Sequence, residues 1–98
     1  MIIEFNGGSL NPDCLGYFYA SWSSKCNLHL EALKRIEKEN PNLIIVRINT
    51  SKYHLLKERY NVRKIPTFVL FEDGEELSRV SGYTDQFSLC KWVKKSRS

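Results

Sequence analysis

The sequence predicts an α/β domain in which a central mixed sheet of about five strands is flanked by helices. Short apolar, β-rich segments alternate with amphipathic segments along the first two thirds of the chain, and an Asp-Gly pair separates the last two β-rich segments. A strand that returns to its sheet through a helix pairs in parallel, whereas an Asp-Gly turn makes its flanking strands antiparallel. The sheet is therefore expected to be mixed.

The first two strands are predicted over residues 2–5 and 15–20. The first is short and is followed by Asn-Gly-Gly; the second is aromatic-rich without polar alternation, as expected for a strand covered on both faces. Residues 9–14, with Asn-Pro-Asp, are turn-like and leave little room for a helix between these strands. The N-terminal β/α part of the domain is therefore expected to be short.

The first long helix is predicted from Ser24 or Lys25 to about Asn40. Charged side chains lie largely opposite an apolar stripe, and Pro41 ends the segment. The stripe consists of Leu28, Leu30, Leu33 and Ile36.

The second half of the chain is predicted to contain a strand–helix pair, a hairpin and a closing helix. The strands are expected over residues 43–49, 67–72 and 76–82, and the helices over 52–60 and 84–95. The hairpin prediction rests on Asp73-Gly74, the strongest turn signal in the chain.

Size and composition indicate one domain over residues 1–98, with 42% hydrophobic residues, which excludes a disordered chain. No apolar run is long enough to cross a bilayer, and the N-terminus lacks the features of a secretory signal, so a cytoplasmic location is expected. The net charge of +4 is concentrated near the C-terminus, where cations suit a helix dipole. Aromatic residues do not interleave with these cations, so nucleic-acid binding is the weaker interpretation.

The three cysteines are Cys14, Cys26 and Cys90, an odd number with irregular spacing that indicates neither a disulfide framework nor a zinc cluster. Cys14 and Cys90 are expected to be packing or surface residues. Cys26 and His29 stand three residues apart, but no second ligand pair accompanies them, so no metal site is predicted and His29 is expected on the surface.

The segment over residues 17–26, YFYASWSSKC, is predicted to be a strand that delivers a thiol to a helix N-terminus. Unpaired N–H groups and the positive end of the helix dipole favour a thiolate there, and Lys25 would lower the pKa of Cys26 further. Thiol–disulfide exchange ordinarily uses C-x-x-C, in which one thiol attacks and the second resolves the mixed disulfide. Here the pattern is S-x-x-C, and the hydroxyl of Ser23 cannot form a disulfide.

Together with Ile65-Pro66-Thr67, the FVLFEDG segment over residues 68–74 and Gly82-Tyr83, this motif resembles the thioredoxin family over residues 15–95. The resemblance implies a thioredoxin-like fold and protein disulfide reductase activity without a bound cofactor. It implies a monomer that acts on protein disulfides and receives electrons from a thioredoxin-reductase-type donor, without nucleic acid or membrane. The long helix lacks the internal proline that thioredoxins commonly have, so it is expected to run straighter.

By this resemblance Ser23 occupies the position of the attacking cysteine and Cys26 that of the resolving thiol. The peptide-binding groove would be formed by Trp22, Ile65, Pro66, Ser81, Gly82 and Tyr83. Sequence alone predicts a trans bond before Pro66, because only about 5–6% of X-Pro bonds in folded proteins are cis. The resemblance implies a cis bond, which would leave the backbone of Ile65 available to a substrate strand; the alternative is that Pro66 starts an edge strand.

Two further positions depart from the family. Tyr17 stands where many thioredoxins bury an acid, and a phenol is a poor base at neutral pH. Arg47 stands where they often have a lysine near that acid, so proton handling is expected to differ.

Three interpretations of function follow. The chain is a thiol–disulfide oxidoreductase disabled at Ser23, by engineering or as a natural single-thiol form; a redox-inactive thioredoxin-like module that binds proteins; or a glutaredoxin-like reductase that depends on glutathione. With Ser23 in place, the chain as written is expected to reduce disulfides very poorly.

Overall fold

Five strands form one mixed sheet in the computed structural model, which describes residues 1–21 and 29–97. The described strands are β1 (Ile2–Glu4), β2 (Cys14–Tyr19), β3 (Ile44–Asn49), β4 (Thr67–Glu72) and β5 (Glu75–Ser81). The described helices are α1 (Leu30–Glu39), α2 (His54–Arg59) and α3 (Gln86–Arg97). The predicted strands agree with these bounds to within one or two residues, and residues 24–28 of the first predicted helix lie outside the described residues.

The sheet order is β1-β3-β2-β4-β5. β1 and β2 both run parallel to β3, whereas β4 runs antiparallel to β2 and to β5. The predicted mixed sheet is confirmed, and so is the short N-terminal part, because residues 5–13 contain no helix.

The hairpin between β4 and β5 turns at Asp73 and Gly74, whose φ angles are 54° and 81°. Positive φ at both central residues matches the right-handed twist of the flanking strands, and Asp-Gly adopts it readily. The predicted hairpin is confirmed.

Side chains from alternate positions of β2 enter two cores, one on each face of the sheet. The face covered by α1 and α3, hereafter the α1/α3 face, takes Leu15 and Tyr17; the face covered by α2, hereafter the α2 face, takes Cys14 and Phe18. Burial on both faces explains why β2 has no polar alternation.

The apolar stripe of α1 differs from the prediction at Leu30, which is 41% exposed, whereas Ala32, Leu33 and Ile36 are buried. At 100° per residue Leu30 lies well to one side of the direction shared by Leu33 and Ile36. No described helix is long and apolar enough to span a membrane.

Candidate functional site

The C-terminal end of β2 is held by Thr50, whose backbone N–H and hydroxyl donate to the Tyr19 carbonyl at 2.8 and 2.9 Å. Ala20 follows with 1% exposure, and Ser21 is the last described residue before residues 22–28, which lie outside the described part of the chain. β2 therefore finishes at the same end of the sheet as its parallel partner β3. Four predicted site residues lie outside the described residues, namely Trp22, Ser23, Lys25 and Cys26.

The Ile65–Pro66 peptide bond is cis and stands immediately before β4. Because β4 is antiparallel to β2, with Thr67 opposite Phe18, β4 begins at the end of the sheet where β2 finishes. β4 lies between β2 and β5, so Pro66 does not start an edge strand.

The turn after β5 is hydrogen-bonded to Pro66, the residue that follows the cis bond. Gly82 donates its N–H to the Pro66 carbonyl at 2.7 Å, and Ser81 pairs with Thr67 in the sheet. Gly82 has φ of 85°, a conformation that costs glycine little. The described members of the predicted groove, Ile65, Pro66, Ser81, Gly82 and Tyr83, therefore lie at one end of the sheet. Tyr83 is exposed there, at 58%.

Tyr17 lies deep beneath this end of the sheet, with 1% exposure. Its ring stacks on Phe68 at a centroid distance of 4.8 Å and on Tyr19 at 5.6 Å. The position is buried as the family resemblance implies, but it carries a phenol within an aromatic cluster.

Arg47 lies opposite Tyr17 in the register of β2 and β3, but its guanidinium group contacts Tyr19 and Glu4. The guanidinium carbon is 4.7 Å from the centroid of the Tyr19 ring, and Nη1 is 3.6 Å from Glu4 Oε1. The Tyr19 hydroxyl also donates to Glu4. Neither Glu4 nor Tyr19 was predicted from the sequence as a site residue. The signal that could have found them is that Glu4, Arg47 and Tyr19 lie on the same face of three adjacent parallel strands.

His29 is buried, with 1% exposure, so the expectation of a surface histidine was wrong. Its ring contacts Phe68, Tyr83 and Tyr17 at centroid distances of 5.0, 5.4 and 5.8 Å, and Nε2 lies 3.2 Å from the Thr84 carbonyl oxygen. Burial lowers the pKa of His29, because the charged imidazolium loses its solvation, and the Thr84 carbonyl partly offsets this effect. The signal in the sequence was spacing, since His29 stands four and seven residues before Leu33 and Ile36, on the same side of a helix.

The two described cysteines are held as thiols at neutral pH. Cys14 has no exposed surface, and burial together with the charge of Asp13 raises its pKa to about 11. The pKa of Cys90 is also raised, chiefly by burial and then by Glu39, against an opposing effect of Arg35. A thiol reacts through its thiolate, so both are poor nucleophiles. Among the described residues, no group of three His, Cys, Asp or Glu side chains is placed to hold a metal ion.

Residues 8–95 match the thioredoxin family model. This chain belongs to the thioredoxin family. Thioredoxin from Chlamydia caviae is 34% identical over 76 residues, which span 78% of this chain and 74% of that protein. Thioredoxin from Chlamydia trachomatis is 33% identical over 78 residues, which span 80% of this chain and 76% of that protein.

Solved thioredoxins have the same fold. A mutant thioredoxin from Halobacterium salinarum superposes with a TM-score of 0.86 at 25% identity, over 99% of this chain and 91% of that one. Thioredoxin NaTrxh from Nicotiana alata superposes with a TM-score of 0.85 at 22% identity, over 99% of this chain and 93% of that one. The predicted thioredoxin-like fold is confirmed. Family and fold together support a thiol–disulfide oxidoreductase kind of function with protein disulfides as the substrate class.

Proposed function

We propose that this chain is a thioredoxin-like thiol–disulfide oxidoreductase whose working thiol is Cys26, and that Ser23 leaves the chain as written with little or no protein disulfide reductase activity. In the form with cysteine at position 23, that cysteine attacks the substrate disulfide and Cys26 resolves the mixed disulfide. The proposal includes a cytoplasmic monomer that uses no bound cofactor and receives electrons from a thioredoxin-reductase-type donor.

The observation that carries the proposal is the cis Ile65–Pro66 peptide bond at the end of the sheet where β2 finishes, with the Pro66 carbonyl accepting a hydrogen bond from the Gly82 N–H. No described residue forms a backbone hydrogen bond with Ile65. An extended substrate segment can therefore pair with its N–H and C=O, as a strand does at a free edge. Tyr83 offers such a segment an exposed apolar ring beside the groove.

The test is reduction of insulin disulfides in the presence of a regenerating thiol. We expect Ser23→Cys to be active, whereas the unchanged chain and the matched control Ser24→Cys remain near background, because Ser24→Cys adds a thiol without restoring the C-x-x-C spacing. Cys26→Ala introduced into Ser23→Cys should abolish turnover, since the mixed disulfide then lacks its resolving thiol. A folded Ser23→Cys form without activity would overturn the proposal.

A second candidate, a redox-inactive module that binds proteins through the same groove, is favoured by the combination of Ser23 with the exposed Tyr83 ring. It predicts that the unchanged chain binds extended peptides and that Tyr83→Ala weakens binding, while Phe87→Ala, which removes another exposed ring at 71% exposure, does not. Peptide binding measured by fluorescence anisotropy decides this candidate, and equal effects of the two substitutions would count against it.

A further inference from the structure

The turn that follows β5 carries Tyr83, whose exposed ring lies beside the proposed groove. Gly82 ties the start of this turn to the Pro66 carbonyl through a hydrogen bond of 2.7 Å. Tyr83 is 58% exposed, and among the described residues the His29 ring is the only aromatic ring in contact with it, at a centroid distance of 5.4 Å. His29 is therefore the aromatic neighbour that restrains the Tyr83 side chain.

His29 also contacts the backbone of the next residue in the turn. Its Nε2 lies 3.2 Å from the carbonyl oxygen of Thr84, a residue 55 positions away in the chain. Burial lowers the pKa of His29, so the ring is neutral at neutral pH and carries one N–H. Because a carbonyl oxygen only accepts hydrogen bonds, this contact is a hydrogen bond in the tautomer that has the proton on Nε2. His29 thus contacts the turn through both a ring and a polar atom.

The sheet fixes the His29 ring from the other side. Phe68 of β4 and Tyr17 of β2 meet the ring edge to face, at centroid distances of 5.0 and 5.8 Å and interplanar angles of 70° and 62°. All three side chains are buried, with at most 1% exposure. Closely packed buried rings have few alternative positions, so the sheet sets the position of His29. His29 in turn connects the sheet to the turn that carries Tyr83.

We propose that His29 is a positioning residue of the peptide groove, which holds Tyr83 where its ring contacts a bound polypeptide. The inference rests on the proposed function, in which Tyr83 borders the groove. A substrate segment pairs with the backbone of Ile65 and contacts Tyr83 at the same time, so its affinity depends on how Tyr83 is held relative to Ile65. His29 acts on this affinity through Tyr83 and does not itself touch the substrate.

Restraining Tyr83 before the substrate arrives favours binding. A side chain that becomes ordered only on binding lowers the affinity, because its lost rotamer freedom is subtracted from the interaction free energy. The contacts of His29 restrict that freedom in the free protein. Loss of an interaction that is shared by the bound substrate and the transition state raises KM and leaves kcat largely unchanged. The effect of His29 is therefore expected on KM.

The first experiment measures insulin reduction by Ser23→Cys and by the same protein with His29→Ala. We expect KM for insulin to rise about threefold to tenfold, which corresponds to one aromatic contact, while kcat changes less. His29→Phe keeps a ring beside Tyr83 but loses the contact with the Thr84 carbonyl, so it should raise KM by a smaller factor. His29→Phe also provides the comparison if His29→Ala does not fold.

The matched control is Ile36→Ala, about two turns further along α1. Ile36 is fully buried in the same core, so this substitution lowers stability away from the turn, and KM should stay at the Ser23→Cys value. A double-mutant cycle with Tyr83→Ala then tests the route of the effect. His29→Ala should raise KM when Tyr83 is present and have little further effect when the Tyr83 ring is already absent.

The outcomes separate this proposal from the proposed function. An active Ser23→Cys form in which His29→Ala leaves KM unchanged, or raises it equally with and without Tyr83, would overturn the role of His29 and leave the oxidoreductase function standing. A folded Ser23→Cys form that does not reduce insulin would contradict the function instead. The same cycle is then measured on the unchanged chain by fluorescence anisotropy with a labelled insulin B chain, and absence of binding or of coupling to Tyr83 would overturn the positioning role. Circular dichroism establishes that the compared proteins are folded.

Discussion

The two faces of the sheet are built from the same strands but differ in what they bury. The α2 face packs mainly aromatic and aliphatic side chains, with Cys14 as its buried thiol. The α1/α3 face buries the Tyr17 phenol and the His29 imidazole next to equally apolar side chains. Burying a polar group costs free energy unless it is hydrogen-bonded. The comparison indicates that the α2 face packs for stability, whereas the α1/α3 face also holds a titratable imidazole.

The largest test of this contrast compares two buried phenylalanines. Phe68→Ala on the α1/α3 face and Phe18→Ala on the α2 face should each lower the free energy of unfolding by about 3–5 kcal/mol, measured by urea denaturation, because each leaves a cavity of similar size. Only Phe68→Ala should change the titration of His29, followed by NMR, because Phe68 contacts the His29 ring. Equal effects of the two substitutions on the His29 titration would break the contrast between the faces.

A second test uses the alkaline response of the α2 face. Burial and Asp13 raise the pKa of Cys14 from 9.0 to about 11, so the folded protein keeps this thiol protonated where the unfolded chain ionises. The resulting contribution to the free energy of unfolding is fully present below pH 9.0 and is lost as pH rises through about 11. It amounts to about 3 kcal/mol.

The measurement is the free energy of unfolding from pH 8 to pH 11 for the unchanged chain and for Cys14→Ala. Their difference isolates Cys14 from the tyrosines and lysines that titrate in the same range. We expect the unchanged chain to lose more stability than Cys14→Ala across this range. Parallel curves would show that Cys14 titrates alike in the folded and unfolded states.

The third and smallest test uses the acid response of the α1/α3 face. Burial lowers the pKa of His29 below its ordinary value of 6.5, so the unfolded chain binds the proton more readily than the folded protein. The free energy of unfolding should therefore fall as pH decreases below 6.5, by at most about 1.4 kcal/mol per pH unit for one proton.

Chemical denaturation between pH 5 and pH 7.5 measures this slope. His29→Gln should flatten it, because a neutral amide does not titrate, whereas His54→Gln should retain it. A slope that survives in His29→Gln would assign the acid sensitivity to another group. A stability that depends on acid pH through His29 on the α1/α3 face, and on alkaline pH through Cys14 on the α2 face, would strengthen the contrast between the two faces.

Much of the fold could be predicted because its signals are local. The apolar runs that became β2 and β3, and the Asp73-Gly74 turn, depend on neighbouring residues and on the period of the strand. Leu30 was wrongly assigned to the buried face of α1, because irregularly spaced apolar residues do not show which of them is the last to be buried. The cis bond before Pro66 could not be derived from local sequence, which favours trans; only the family resemblance implied it.

The groups around the candidate site escaped local reasoning because their partners are distant in the chain. His29 bonds to Thr84 across 55 residues, and Tyr19 bonds to Glu4 across 15. A histidine three residues after a cysteine has the same local sequence whether it is exposed or enclosed by rings from β2 and β4.

The sequence by itself determined the order of strands and helices, the hairpin turn and the S-x-x-C motif with Ser23 in the attacking position, because each depends on residues adjacent in the chain. Tertiary structure alone decided that His29 is buried, that its Nε2 lies against the Thr84 carbonyl, and that Gly82 bonds to the carbonyl of Pro66 beside the end of β2. Those features arise when separate strands and turns are brought together, since burial and hydrogen-bond partners are properties of the packed chain.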